Sequence, residues 1–560
     1  MVFGLVPVTV WAATTNGHTH YLCGGSTCNG SGHENETYKT TFEKEIKQEG
    51  NTLKIGGESW APTKGSNDTF YILPTGTYYL GSDISLEYTI KIENNVTLCL
   101  NDHKITAANE KDAIKLTGGS FTLTDCQKTG NITHASNTNG IGVYVSSGTF
   151  NMYGGSITGN KAQDAQGRGG GVYVYSGSGT FNMYGGSITG NRATGDGGGV
   201  YKSGSNSSFN MYGGSITGNT ANSYGGGVYV DGGGFTMSGG TIGGTKTGET
   251  NTATYGGGGV YAKANFEMTG GSITGNETNR GGGVYVTGKG SFTMSASADG
   301  QNIPSITGNN ATENGGGVYV VGSSTFKMTG GSIGGTNEND ANTAYRGGGV
   351  CVDCGKFTMS ASADGQNIPS ITGNNATENG GGVCVSENGS FEMSGSSCIT
   401  NNKAASYGGG VHISYASATF TMKGGSITGN NAYKSDYIST FGGGVCVGNG
   451  TFTMTGGSIT GNNAAYGGGV YTVNEFKMSG GSITGNNAYK SDYTSTFGGG
   501  VCVGSGIFTV SGEVTVTDNT KGGAKGADGK FTGDTKNNVY LPTGKTITIG
   551  TDKLSEGAQL

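Results

Sequence analysis

The segment Gly-Gly-Gly-Val recurs along the chain and limits the possible folds more than any other feature of the sequence. Successive copies lie 24 to 34 residues apart, by subtraction of their valine numbers. This spacing is too irregular for a coiled coil, but it fits one turn of a β-solenoid whose loops vary in length. The valines are Val143 (in an imperfect first copy), Val172, Val200, Val228, Val260, Val284, Val318, Val350, Val383, Val411, Val445, Val470 and Val501.

Each repeat unit contains three strand-like pieces, V-Y-V, F-x-M and S-I-T. In the second piece Phe and Met flank a variable residue, so the alternation of a strand places both inside. The Ile of the third piece points inward between Ser and Thr. One unit cannot bury these side chains alone, whereas stacked units can. The sequence therefore predicts an all-β fold, a right-handed single-stranded parallel β-helix with three short strands per coil.

Two further features of the repeat predict its corners. An asparagine follows each Ile, as in Ile157 and Asn160, and its amide would either stack into a hydrogen-bonded ladder or simply suit the turn. The triple glycines predict a tight corner with positive φ, where a Cβ would clash.

The facing of the V-Y-V strand is less clear from the pattern. We expect its valines to face inward and its middle residue to face outward, as a column that offers a binding face. Lys202 and Thr472 occupy the third position and count against this register, and in the reversed phase the tyrosines would be core residues. The column comprises Tyr144, Tyr173, Tyr201, Tyr229, Tyr261, Tyr285 and Tyr319.

The repeats resemble those of a known class of bacterial surface proteins. GGGV followed by I-x-x-N is similar to the repeats of polymorphic outer-membrane proteins and related pectin-lyase-like surface proteins. The GGGVYV…FTM…GGSITGN pattern resembles still more closely the surface proteins of gut-dwelling Gram-positive bacteria. The resemblance covers about residues 141–518. It implies a β-helix that serves as an adhesin or stalk, and it also brings in polysaccharide lyases and hydrolases, which share this scaffold.

The regions outside the repeats predict export and capping. Residues 1–13, MVFGLVPVTVWAA, resemble the end of a signal peptide, with an N-terminal strand as the alternative, so we expect a secreted or cell-surface protein. Residues 14–41 form a Cys/His-rich linker, 42–140 a cap and irregular first coils, 141–520 the regular coils, and 521–560 a loop and final strands. The chain ends without a wall-sorting signal, so we expect a truncated product.

Composition excludes several classes of partner. The net charge is −6 and charged residues make up 12 %, and four scattered arginines give no basic stripe for nucleic acid. No apolar run is long enough to span a membrane.

The N-terminal linker holds the densest group of metal-ligand residues. The spacing H-x-H-x2-C-x4-C-x4-H would let four of the five side chains hold a structural zinc ion. A disulfide between Cys23 and Cys28 is the alternative. The five residues are His18, His20, Cys23, Cys28 and His33.

Cysteines also appear within the coils. In the later coils the tyrosine column continues as Cys351, Cys384, His412, Cys446, Tyr471 and Cys502. A Cys351–Cys384 disulfide, a metal site at Cys384, His412 and Cys446, and simple replacement of Tyr by Cys all fit this pattern. Cys99 and Cys126 lie on adjacent early strands and form a further disulfide candidate.

The outward columns decide between the function classes. A lyase or hydrolase on this scaffold needs carboxylates clustered over neighbouring coils, whereas the outward positions here are mostly Thr, Ser, Asn and Tyr. We therefore expect a non-catalytic adhesin or stalk that contacts glycans or host and bacterial surface proteins. A polysaccharide-active enzyme is the alternative, and an ice- or mineral-binding lattice of Thr158, Thr189 and Thr217 is a third.

Overall fold

The computed structural model describes residues 18–21 and 39–560, apart from 67, 127–128, 164–166, 176, 298, 362–364, 434–438, 490–495, 523, 526–530 and 533–534. The chain forms a parallel β-solenoid in which three sheets run along the rod. This confirms the predicted all-β solenoid with three strands per coil.

Sheet 1 is the column of V-Y-V strands, and from Thr69–Ile72 onward each strand pairs in parallel with the equivalent strand of the next coil, whereas Thr63–Lys64 pairs antiparallel with Thr69–Ile72. Its strands are Thr63–Lys64, Thr69–Ile72, Thr89–Ile92, Ile114–Leu116, Val143–Val145, Val172–Val174, Val200–Lys202, Val228–Val230, Val260–Ala262, Val284–Val286, Val318–Val321, Val350–Asp353, Val383–Ser386, Val411–Ile413, Val445–Val447, Val470–Thr472, Val501–Val503 and Val539–Tyr540.

Sheet 2 contains both the F-x-M and the S-I-T strands, which stack in register from coil to coil. Its strands are Lys44–Glu49, Thr52–Ile55, Glu58–Ser59, Gly76–Leu80, Ile84–Ser85, Val96–Cys99, Lys104–Ala107, Ser120–Thr124, Asn131–His134, Thr149–Met152, Ser156–Thr158, Thr180–Met183, Ser187–Thr189, Ser208–Met211, Ser215–Thr217, Gly234–Met237, Thr241–Ile242, Asn265–Met268, Ser272–Thr274, Ser291–Met294, Ser305–Thr307, Thr325–Met328, Ser332–Gly334, Lys356–Ser360, Ser370–Thr372, Ser390–Ser394, Cys398–Thr400, Thr419–Met422, Ser426–Thr428, Thr451–Met454, Ser458–Thr460, Glu475–Thr484, Ile507–Thr517 and Ile547–Leu554.

Sheet 3 consists of short strands that follow the asparagine corner, and the sequence pattern did not predict it. Its strands are Lys161–Ala162, Arg192–Ala193, Thr220–Ala221, Thr252–Ala253, Glu277–Arg280, Asn310–Asn314, Thr343–Arg346, Asn375–Asn379, Lys403–Ala404, Asn431–Ala432, Asn463–Ala464, Asn487–Ala488, Thr520–Lys521 and Thr535–Lys536. Two antiparallel pairs, His18–Tyr21 with Lys39–Phe42 and Ala524–Lys525 with Phe531–Thr532, and a 3-10 turn at Glu338–Asp340 complete the described elements.

The core of the rod is built from columns of like residues. The Val, Phe, Met and Ile of the repeats are buried, as predicted. The phenylalanine rings from Phe121 to Phe508 stack along the rod, with centroids 4.6 to 5.2 Å apart and planes within 10° of parallel. Each coil therefore covers the apolar side chains of the previous one.

The asparagine ladder runs beside this core and is confirmed. Each Nδ2 donates to the Oδ1 of the next rung at 2.9 to 3.0 Å, and the side chains are buried. Its rungs are Asn160, Asn191, Asn219, Asn251, Asn276, Asn309, Asn342, Asn374, Asn402, Asn430, Asn462, Asn486 and Asn519.

The triple glycines serve two different purposes. Gly281, the first of its triple, has φ +63°, as expected for a tight corner. The third, Gly283, is needed because of close packing, since a Cβ there would lie 2.7 Å from the carbonyl oxygen of Gly317 and 2.8 Å from Cγ2 of Ile306.

A hairpin precedes the first coil in the region expected to act as a cap. Strands Lys44–Glu49 and Thr52–Ile55 pair antiparallel, and Ile46 and Leu53 join the main core. The Trp60 ring packs against that of Tyr71 at a tilt of 52°, with centroids 5.2 Å apart, and its indole N–H donates to the carbonyl of Ile72. At the other end, Ile547–Leu554 pairs in parallel with the last long strand. Within the described residues, the structure contains no helix of the length and hydrophobicity needed to cross a bilayer.

Candidate binding surfaces

The tyrosine column lies on the outer side of sheet 1, but most of its members are not exposed. The valines face the core and the tyrosines form a separate cluster, which confirms the predicted facing. Tyr173, Tyr201, Tyr229, Tyr261 and Tyr319 are buried, and Tyr144 and Tyr285 are half-buried. The prediction that these rings offer an open binding face is therefore wrong for five of the seven.

The segment before each triple glycine covers this column. The Tyr224 ring lies 4.6 Å from that of Tyr261, and the Arg168 guanidinium lies 5.0 Å from the Tyr201 ring. In the later coils, aromatic residues occupy the position just before the glycines and pair from coil to coil: Tyr407, Phe441, Tyr466 and Phe497. The motif [Tyr/Phe]-Gly-Gly-Gly-Val carries this signal in the sequence, which the tyrosine prediction overlooked.

Burial has an electrostatic consequence for the column. Loss of solvent raises the pKa of Tyr201, Tyr229 and Tyr261 well above the ordinary phenol value. For Tyr285 burial raises the pKa to about 12. These phenols act as neutral packing groups over the physiological range.

Lys202 shows that the register holds even against an unfavourable residue. It pairs with Val174 and Val230, so its side chain enters the core and is fully buried. Its Nζ donates to the carbonyl oxygens of Gly204 (3.0 Å) and Gly232. Burial lowers the pKa of this amine to about 8.

The cysteines of the later coils continue the same covered column. Cys351 pairs directly with Cys384, and Cys384 pairs with His412 on the next coil. The hydrogen bond from the Cys351 thiol and the neighbouring His412 imidazole lower the pKa of Cys384, against the effect of burial. Burial raises the pKa of Cys446 and Cys502. All of these cysteines are free thiols in this structure.

A half-buried outer face of sheet 2 combines aromatic and amide groups over three neighbouring coils. Tyr153, Tyr184 and Tyr212 stack with centroids 4.6 and 4.9 Å apart, and their planes lie within 12° of parallel. Beside them, Asn182 donates to Asn151 and Asn210 donates to Asn182, each at 2.9 Å. Because the ring faces contact one another, the ring edges and phenol groups are what this surface presents outward. We call these six residues the tyrosine–asparagine face; the sequence signal for it is N-M-Y in three successive units.

Two shallow grooves flank the sheets. One of about 400 Å³ is lined by Thr75, Gly76, Thr77, Asn95, Val96, Thr97, Ser120 and Thr122. The other, of about 570 Å³, is lined mainly by Gly, Thr and Asn, together with Glu277 and Asp340. Carboxylates line only the second of these two grooves.

Two clusters of metal-ligand side chains lie in the described part of the chain. The donor atoms of Cys99, Asp125 and Cys126 lie within 4.8 Å of one another, and so do those of Asp353, Cys354 and Glu387. In the second cluster the Cys354 thiol donates to Glu387 at 2.9 Å.

The N-terminal cluster falls mostly outside the described residues. This applies to Cys23, Cys28 and His33, as well as to residues 1–13, while for His18 and His20 only the backbone is described, in strand His18–Tyr21. Zinc binding by these five residues stays a prediction.

No protein family model, curated protein or solved structure matches the chain. The resemblance to pectin-lyase-like surface proteins therefore remains a prediction from the repeat motifs.

Proposed function

We propose that this protein is a non-catalytic rod at the bacterial surface or secreted from it, acting as an adhesin or stalk that contacts glycans or surface proteins. The observation that supports this proposal is the tyrosine–asparagine face, where identical polar and aromatic groups recur at the spacing of the coils. Phenol and amide groups in such a row match the recurring hydroxyls of an extended sugar chain, since each combines an apolar body with a hydrogen-bonding tip.

The rest of the rod fits a structural role. Its length comes from stacked coils that contact mainly their neighbours, so the face is carried on a stiff support. The proposal that the protein is secreted rests on the signal-peptide-like residues 1–13, and the proposal that it contacts surface partners rests on the repeat motifs.

A glycan array probed with the full chain tests this function. We expect a bound glycan whose Kd rises at least about tenfold in Tyr184→Ala, because this ring is the middle of the stack. Tyr175→Ala is the matched control, since Tyr175 is 44 % exposed but lies outside the face. Equal binding by wild type and Tyr184→Ala, or no binding to any glycan, would contradict the assignment.

The groove with Glu277 and Asp340 favours a polysaccharide lyase or hydrolase as the second candidate, because two carboxylates are the minimum for acid–base cleavage of a glycosidic bond. Incubation with a panel of plant and bacterial polysaccharides, followed by measurement of new reducing ends, separates the two functions. Product formation that disappears in Glu277→Gln would support the enzyme and overturn the adhesin proposal.

A further inference from the structure

The first irregular coils bring two cysteines and an aspartate to one corner. Cys99 ends strand Val96–Cys99, while Asp125 and Cys126 directly follow Ser120–Thr124 in the next coil. The two strands pair in parallel with Cys99 opposite Thr124, so the side chains at their ends converge.

The distance between the sulfurs fits shared coordination better than a disulfide. The two Sγ atoms lie 3.8 Å apart. In a tetrahedral zinc site with Zn–S bonds of about 2.3 Å, two thiolates are separated by about 3.8 Å. A disulfide bond of about 2.05 Å would require the same atoms to approach by roughly 1.8 Å.

The carboxylate of Asp125 is held in place by backbone donors. Its Oδ1 accepts the N–H of Asp102 at 3.0 Å, and its Oδ2 accepts the N–H of Gly130 at 2.7 Å. Each oxygen keeps a further lone pair for a metal. The carboxylate is therefore both buried and oriented beside the two thiols.

Asn101 supplies a fourth donor at the same corner. Its Nδ2 donates to the carbonyl of Leu80 at 2.9 Å, which fixes the orientation of the amide. Its Oδ1 consequently faces the Cys126 sulfur at 3.2 Å. The amide oxygen therefore lies beside one of the two thiols, where it can complete the four donors of a tetrahedral site.

We propose that Cys99, Cys126 and Asp125, with the amide oxygen of Asn101, bind one zinc-type divalent cation. Thiolates select such borderline-soft ions over magnesium or calcium. Binding deprotonates both thiols and releases the two protons to solvent, so that two thiolates and one carboxylate face the ion. The ion links successive coils in the irregular N-terminal part of the rod, where the asparagine ladder has not yet begun.

Titration of the full, reduced chain with Co²⁺ tests the site, because thiolate-to-cobalt charge transfer absorbs in the near ultraviolet. In a chain that carries Cys23→Ser/Cys28→Ser, we expect a band that is lost on adding Cys99→Ser or Cys126→Ser, and an affinity at least about tenfold weaker on adding Asp125→Asn. Cys502→Ser is the matched control for loss of a buried cysteine, and Cys23→Ser/Cys28→Ser separates this site from the N-terminal cluster; both should keep the band of this site.

Three results would overturn the proposal. The first is a band that persists when Cys99→Ser and Cys126→Ser are each combined with Cys23→Ser/Cys28→Ser, and the second is a band lost entirely in Cys23→Ser/Cys28→Ser alone. The third is a chain isolated with its mass lower by two hydrogen atoms and with the peptides of Cys99 and Cys126 joined, which would show a disulfide. Cys99→Ser changes a buried residue, so the circular dichroism spectrum of this variant is compared with that of the wild type. If Cys99→Ser misfolds, Cys126→Ser provides the same test, because Cys126 is only partly buried.

Discussion

The asparagine ladder and the tyrosine–cysteine column run through the same coils, yet they differ in how strictly their residues are specified. Every rung from Asn160 to Asn519 is asparagine, while the column accepts Tyr, Cys and His at equivalent positions. A buried amide needs a partner on both neighbouring coils, so one different residue leaves several polar groups without hydrogen bonds. The column packs mainly through contact area, which residues of different shape can fill. The residue type is therefore strictly repeated where buried amides hydrogen-bond from coil to coil, and it varies where the buried side chains are held mainly by packing.

Breaking the ladder at its middle should have the largest effect. Asn309→Ala removes the acceptor of the Asn276 backbone N–H (3.1 Å) and side chain (2.9 Å) and the donor to Ile273 (2.9 Å). At about 1–3 kcal/mol for each orphaned buried group, we expect a loss of about 3–5 kcal/mol in unfolding free energy. Denaturant titration measures it, with the exposed neighbour Asn310→Ala as the control. A cost no greater than that of the control would refute the distinction.

The column should tolerate chemical change but not loss of volume. Tyr229 is buried between Tyr201 and Tyr261, with ring centroids 4.9 and 5.0 Å away. We expect Tyr229→Ala to cost about 3 kcal/mol and Tyr229→Phe about 0.5 kcal/mol or less. The two variants are each other's control in thermal or denaturant unfolding. If Tyr229→Phe is as damaging as Tyr229→Ala, the column depends on its polar atoms, as the ladder does.

Lys202 extends the comparison to a buried polar side chain that has no polar counterpart at the equivalent position of either neighbouring coil. Its pKa is about 8 in the folded chain and 10.5 as the ordinary value, so the unfolded state binds more protons between these limits. Stability should therefore rise with pH through this window, with the full penalty present below pH 8. Lys202→Met should be more stable at pH 7 by about 1–2 kcal/mol and should lack this rise.

The control for this variant is Lys263→Met, which removes an exposed lysine. The quantity to compare is the difference in unfolding free energy between wild type and variant from pH 7 to 10. A less stable Lys202→Met protein, or an unchanged pH slope, would show that the hydrogen bonds to Gly204 and Gly232 outweigh the cost of burial.

Much of the rod follows from the sequence because one coil determines the next. The alternation around Phe and Met, the inward Ile and the asparagine after it predicted the core and most of the ladder. Asn251 and Asn342 were not predicted because inserted loops separate them from Ile242 and Ile333. Asn402 and Asn519 were not predicted because they follow Asn401 and Asp518 in place of the glycine of the motif. Sheet 3 was missed because its strands are mostly two residues long, although Asn-x-Ala recurs and the alanine is buried, as in Ala193.

The candidate sites were harder to predict than the fold. The burial of the tyrosines depends on the segment that folds over them, and alternation within one strand contains no information about such a second layer. The corner of Cys99, Asp125 and Cys126 lies in the irregular coils, where no repeat aligns the residues. The sequence predicted the proximity of the two cysteines, but the contribution of Asp125 and Asn101 depends on turn geometry.

The side-chain dipoles of the asparagine ladder all point the same way along the rod. Every amide donates toward the C-terminal end and accepts from the N-terminal side, so the side-chain dipoles add rather than cancel. Hydrogen-bonded chains of this kind polarise one another. At the N-terminal end of the ladder, Oδ1 of Asn160 lies 2.7 Å from Nδ1 of His134, which takes the place of a preceding asparagine. The two ends of the ladder are therefore chemically different, with oxygen acceptors facing the N-terminal coils and N–H donors facing the C-terminal coils.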